Sequence, residues 1–192
     1  SHYLPSCLEV LENPWIQWCC MLPRDISGPE YAGIKEVAAR AVKALGLSDG
    51  MTHLEWFQRP DGSLAIGEIA MRPPGAMISP MTGYAHDEDL YSAWVRAVVF
   101  SEFQGSWERK YAVGTAFLRG TGRGRVAGVT GIAELQRHLG PSVVEARLPS
   151  LGAQKSDSYE GDGSVTVRDQ STEVVKKMLH TIISTARVYY AD

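Results

Sequence analysis

Two glutamates stand where a buried strand would normally carry a hydrophobe. Glu55 lies in His53-Leu54-Glu55-Trp56-Phe57 and Glu68 in Leu64-Ala65-Ile66-Gly67-Glu68-Ile69, on either side of Asp61-Gly62. Asp-Gly tolerates positive φ and is a strong signal for a two-residue hairpin turn. That turn sets Glu55 opposite Glu68, His53 opposite Ala70 and Trp56 opposite Gly67, with both glutamates on one face. Directly opposed like charges destabilise a hairpin, and a carboxylate removed from water needs a partner. A proton shared between the two would offset the repulsion. A divalent cation would also do so, and paired carboxylates with room for water and phosphate oxygens suit Mg²⁺. Arg72, just beyond Glu68, carries a guanidinium able to hold a carboxylate or phosphate bidentately. The purely structural alternatives are a pair of simply solvated glutamates, or a pairing of Arg72 with one of them.

The elements that must position these residues are legible from periodicity and turn chemistry. Trp15 to Leu22 reads as a strand stopped by Pro23. Ser27 is placed to cap a helix, with Pro29 in the first turn and Glu30 at capping-box spacing. Ile34, Val37, Ala38, Ala41, Val42 and Leu45 then recur at helical spacing up to Gly46. The hairpin follows and ends at Arg72-Pro73-Pro74-Gly75. A helix is expected from Asp87 to Phe103, its apolar face formed by Leu90, Tyr91, Trp94, Val95, Val98 and Val99. Ala112–Arg119 and Arg125–Val129 read as strands around a glycine-rich turn. Ile132–Leu139 reads as a short helix, and Val143–Leu148 and Ser164–Arg168 as strands. A last helix, Thr172 to Tyr189, presents Val174, Val175, Met178, Leu179, Ile182, Ile183 and Ala186. The expected class is α+β, a mixed and largely antiparallel sheet packed by helices. A boundary near residue 106 divides the chain into 1–106 and 107–192.

From about residue 29 to 100 the chain resembles the C-terminal half of an ATP-grasp domain. The resemblance rests on His53-Leu54-Glu55-Trp56-Phe57, on Glu68-Ile69-Ala70-Met71-Arg72-Pro73-Pro74-Gly75, on the helix end Ala44 to Gly50 and on the helix start Asp87 to Asp89, in the family's order. It implies that Glu55 and Glu68 hold Mg²⁺ against ATP phosphates, and that Arg72 contacts the phosphate or the acyl substrate. Ala70 departs from the pattern, because the family often has a metal-binding asparagine there. Residues 107–192 resemble the C-terminal α/β cap of amino-acid-ligase-like and biotin-carboxylase-like members. The family clamps nucleotide between two lobes, and the first carries phosphate-contacting lysines and the adenine-binding strand. Only 28 residues precede Pro29 here. The resemblance therefore implies a C-terminal fragment of an ATP-dependent ligase, inactive alone, whose parent activates a small-molecule carboxylate as an acyl phosphate for attack by an amine. The rival readings are a non-catalytic binding or assembly module that kept the fold, and a glycosidase-like acid/base pair.

Bulk properties set the outer bounds. The chain has 192 residues, 44% apolar and 21% charged, with a net charge of −3. That composition suits a folded globular protein and gives no support for a nucleic-acid or anionic-membrane partner. No apolar run approaches the roughly 18 residues of a membrane-spanning helix. Cys7, Cys19 and Cys20 lack disulfide or zinc spacing and read as buried structural cysteines in a cytoplasmic setting. Gly120-Thr121-Gly122-Arg123-Gly124-Arg125 lacks the GK[ST] of a phosphate loop and reads as a hairpin turn. Ser158 to Gly163 reads as turn chemistry. Apolar surface left uncovered by an absent lobe would favour self-association into a homo-oligomer.

Overall fold

The structure, a computed structural model, describes residues 1–191. The sequence segments fold in the order β1 (His2–Leu4), α1 (Cys7–Glu12), β2 (Trp18–Leu22), α2 (Ala32–Ala44), β3 (His53–Gln58), β4 (Leu64–Ala70), α3 (Ile78–His86), α4 (Leu90–Phe100), β5 (Ala112–Leu118), β6 (Arg125–Thr130), α5 (Ile132–Leu139), β7 (Val143–Arg147), β8 (Gly163–Asp169), α6 (Thr172–Thr185) and β9 (Arg187–Ala191). Three antiparallel sheets result. The largest has the order β1-β2-β5-β8-β7, and β3-β4 and β6-β9 are two-stranded. This is the expected α+β class.

The central sheet is covered on both faces. In β2, Cys19 and Met21 point to one side and Trp18, Cys20 and Leu22 to the other. On the first side α6 packs through Val175, Met178, Leu179 and Ile182, with Ala116, Val165 and Val167 beneath. On the second, Met81 and Ala85 of α3 and Val10 of α1 cover Val113 and Phe117. Covering both faces explains why β2 and β5 read as continuous apolar runs rather than alternating ones. Thr115 and Thr166 are also buried there, and their hydroxyls pair across the strands at 2.8 Å. Burial pushes the Cys19 and Cys20 thiols up to about 12. Cys7 is exposed, against expectation.

Several expectations are corrected. The division at residue 106 is crossed by the sheet, because β2 hydrogen-bonds to β5. Ser27 does not cap the helix. Its N–H donates to the Asp25 carboxylate at 2.8 Å, and a 3₁₀ turn at Pro29–Tyr31 leads into α2. On α4 the packed side is Leu90, Ala93 and Ala97, while Tyr91, Val95, Val98 and Val99 are exposed. The apolar surface of α4 is wider than one face, and its small alanines take the inward positions. The glycine-rich stretch after β5 is no hairpin turn, because β6 pairs with β9 instead. The last helix stops at Thr185, and Ala186 is extended, so Arg187–Ala191 becomes a strand. β1, α1 and α3 were not expected. Among the described residues no helix is long and apolar enough to cross a membrane.

Leu179 is 1% exposed and sits against the central sheet. Leu179→Ala is expected to lower the unfolding free energy by about 2–5 kcal/mol. Val174→Ala, on the exposed side of α6, should change it by less than about 0.5 kcal/mol. Urea unfolding of the two variants checks both.

Candidate functional site

The hairpin reaches the expected register by an unexpected route. The Gly62 N–H donates to the Arg59 carbonyl at 2.9 Å and the Arg59 N–H to the Ser63 carbonyl at 2.8 Å. Gly62 has φ +82°. This is a three-residue loop, a tight turn closed by a left-handed glycine. The Asp61 carboxylate accepts the Ser63 N–H at 2.9 Å, and that hydrogen bond holds its pKa below the usual aspartate value. Near the turn Trp56 therefore faces Ile66, and not Gly67 as expected. A bulge at Gly67 then adds one residue to β4 and restores Glu55 opposite Glu68 and His53 opposite Ala70. Gly67 does have a packing reason, but it comes from Phe57 rather than Trp56. A Cβ there would lie 2.7 Å from the Phe57 ring.

The two carboxylates converge on His53. Its Nε2 lies 3.9 Å from Glu55 Oε1 and 3.8 Å from Glu68 Oε1. Both distances are too long for hydrogen bonds. The imidazole is 13% exposed, whereas the glutamates are 56% and 54% exposed. His53 Nδ1 is buried without a partner. Water thus screens the opposed charges without removing them. Arg72 does not pair with either glutamate, and its Nη1 donates to the adjacent Pro73 carbonyl at 3.0 Å. The guanidinium makes no ion pair among the described residues.

His53, Glu55 and Arg72 line one cavity of about 330 Å³, together with Cys7, Trp18 and Tyr159. Glu68 is not part of its wall and joins the group through His53. The far wall comes from segments that sequence reasoning left out of the site. Ser6 accepts the Glu9 N–H and caps α1, presenting Cys7. The Ser6–Glu9 spacing is a capping-box signal that was available in the sequence. Trp18 stacks between Tyr3 and Phe117, and its Nε1 donates to the Tyr159 carbonyl at 2.7 Å. That bond fixes the loop read only as turn chemistry. Burial, then Cys20, Cys7 and Glu55, pushes the Tyr3 hydroxyl up to about 12. Burial, then Glu160 and Glu55, also raises Tyr159.

The chemistry of the donors fits a hard cation better than a structural metal centre. Both side chains offer oxygen only, they are open to water, and among the described residues no guanidinium or ammonium pairs with them. Among the described residues no group of three or more His, Cys, Asp or Glu side chains is arranged to hold a metal ion. A hard cation held by these two carboxylates would need further oxygens from outside the chain to complete its shell.

No family model matches the chain. It is 34% identical over 74 residues to the L-arginine-specific L-amino acid ligase of Bacillus subtilis, a stretch covering 38% of this chain and 18% of that protein. The L-amino acid ligase of Bacillus licheniformis superposes with a TM-score of 0.75 at 17% identity, over 91% of this chain and 44% of that one. The biotin carboxylase domain of the Hydrogenobacter thermophilus 2-oxoglutarate carboxylase, a structure with MgADP and bicarbonate, superposes with a TM-score of 0.52 at 13% identity. That match covers 91% of this chain and 39% of the other. The chain therefore shares the fold of part of each of these two structures, and it spans less than half their length.

Glu68→Gln removes one of the two opposed charges at constant size. It is expected to raise stability by about 0.2–1 kcal/mol, measured by urea unfolding at low salt, with the gain shrinking as salt screens exposed charges. A loss of stability would mean that the chain itself already compensates the pair.

Proposed function

We propose that this chain is part of an ATP-dependent ligase, one that activates a small-molecule carboxylate as an acyl phosphate and passes it to an amine. The observation that carries this reading is the Glu55–Glu68 pair, opposed across the hairpin with one imidazole, His53, near both carboxylates, beside an Arg72 that pairs with neither among the described residues. Both choices sacrifice local stability, as functional sites commonly do. The named activities of the L-amino acid ligase relatives, and the MgADP held by the carboxylase domain, support it.

Each side chain then has a definable task. Glu55 and Glu68 would hold Mg²⁺, which when bound neutralises charge on the nucleotide phosphates and templates the reactants. The two glutamates act as ligands rather than as bases. The bulge at Gly67 keeps them in register, and His53 Nε2 lies within 4 Å of an oxygen of each. Arg72 would present its guanidinium edge to the acyl or phosphoryl oxygens at the cavity mouth, where a planar fork matches two oxygens at once. Trp18 and Tyr159 would shape the cavity wall and limit water beside the guanidinium.

The adenine pocket and the phosphate-binding lysines expected of the family have no counterpart in the elements described here, and we assign them to a lobe in the remainder of the parent polypeptide. Tyr91, Val95, Val98 and Val99 of α4, with Phe57 and Met71 of the hairpin, are exposed apolar groups. A larger assembly would cover such groups. Ala70, paired with His53, offers only a methyl group where the family often has asparagine. That substitution favours a single Mg²⁺ site, and it is also the observation that keeps the binding-module reading in play.

Two measurements decide between ligase and module. Titration calorimetry of this chain should detect Mg²⁺ binding that Glu68→Gln weakens, with poor affinity for Mg²⁺-ATP. A longer product of the same gene should release ADP in the presence of an amino acid, and Glu68→Gln or Arg72→Ala should lower that rate by about 10²–10³. Steady ADP release by this chain alone would overturn the assignment of the nucleotide lobe. A longer product that binds nucleotide but never turns it over would favour the module.

A further inference from the structure

Arg119 follows β5 where the chain leaves the central sheet. It is 6% exposed. Among the described residues its only hydrogen bond runs from Nη1 to the Val10 carbonyl at 3.3 Å, although a guanidinium carries five N–H donors. It makes no ion pair there either. Asp162, whose charge it feels, is occupied by the Ser156 N–H and the Tyr190 hydroxyl. Burial lowers the Arg119 pKa, yet arginine stays protonated in proteins. A buried cation with no carboxylate at ion-pair distance is among the costlier features a fold can carry.

Arg119 opens onto a cavity of about 410 Å³ lined also by Trp15, Gln17, Thr121, Arg187 and Tyr189. The cavity shares no residue with the one at Glu55, and its wall holds two arginines and no acid. Gln17 Nε2 donates to the Ile183 and Ala186 carbonyls at 2.8 and 3.0 Å, capping the end of α6. The Arg187 Nη1 donates to the same two carbonyls. Gln17 Oε1 is left buried with no donor. One wall thus offers two cations and an orphan acceptor.

We propose that this cavity binds a small oxyanion, a phosphate or a carboxylate, on Arg119 and Arg187, with Gln17 Oε1 accepting a hydrogen bond from a hydroxyl of the same molecule. Hydrogen phosphate and a hydroxycarboxylate both carry that combination of charge and donor. The planar fork of Arg119 suits bidentate capture of two oxygens.

Titration calorimetry of the purified chain with sodium phosphate, glycolate or acetate, each against chloride at equal ionic strength, tests this. Saturable one-to-one binding of phosphate or of glycolate is expected, and whichever binds identifies the source of the anion. Acetate, which lacks the hydroxyl, should bind more weakly than glycolate. Arg119→Met and Arg187→Gln should each weaken binding by about tenfold or more, as expected for loss of a charge-assisted hydrogen bond. Glu68→Gln should leave it unchanged, so failure here and failure of the ligase reading are separable. Should Arg119→Met not fold, Arg119→Lys keeps the charge, loses the fork and carries the same expectation. Absence of saturable binding by the unaltered chain, or equal affinity in the Arg119 and Arg187 variants, overturns the proposal.

Discussion

The complete burial of β5 governs the rest of the structure. Every residue from Ala112 to Leu118 is buried, so the strand needs hydrogen-bonding partners on both edges and apolar cover on both faces. β2 and β8 meet the first demand. α6 meets the second on one face and α3 on the other. To lie on that face α3 must begin soon after the hairpin, and the chain turns sharply through Ala76 and Met77, both at positive φ. That turn brings Arg72, Pro74 and Ala76 to the wall of the cavity beside Trp18. The position of the arginine is thus a consequence of how the central strand is covered.

The hairpin adds a second constraint, at a cost in local stability. The three-residue loop alone would have placed Glu55 one residue out of step with Glu68. The Gly67 bulge returns the pair to direct opposition, with the Phe57 ring closing over the glycine. Opposed carboxylates then lie within 4 Å of a single imidazole without a hydrogen bond to it. A sequence selected only for a stable hairpin would avoid this arrangement. Arg72 pairs with neither glutamate among the described residues, while both glutamates stay open to water, as the solvated-pair alternative also expects.

Where one face of an element decided its pattern, the sequence was legible. The α6 core of Val175, Leu179 and Ile182 follows helical spacing, and all three are buried. The Glu55–Glu68 opposition was also legible, although for an incomplete reason, since two one-residue offsets cancel. Other elements were hidden by local chemistry that tertiary contacts override. α3 contains Pro80 and Gly83 and reads as a loop. Pro80 is tolerated because first-turn N–H groups have no intrahelical partner, and the buried Ser79 hydroxyl ties the turn to the Pro74 carbonyl at 2.6 Å. β9 was absorbed into the preceding helix even though Val188-Tyr189-Tyr190 is strand-like. The α4 face was misread because hydrophobicity alone ranks Val98 above Ala97, while packing against a neighbouring helix favours the smaller residue. Tyr159 and Cys7 join the site only through the fold, across long sequence separations.

The central claim is that Glu55 and Glu68 jointly hold a divalent cation. The most direct measurement is site-resolved paramagnetic broadening of the chain's amide resonances on titration with Mn²⁺ as the Mg²⁺ surrogate. The account predicts that signals of His53, Glu55, Glu68 and Ile69 vanish first, that excess Mg²⁺ restores them, and that Glu55→Gln or Glu68→Gln abolishes the selectivity. Broadening centred on another acidic group, or spread evenly over the surface with the hairpin unaffected, would contradict it.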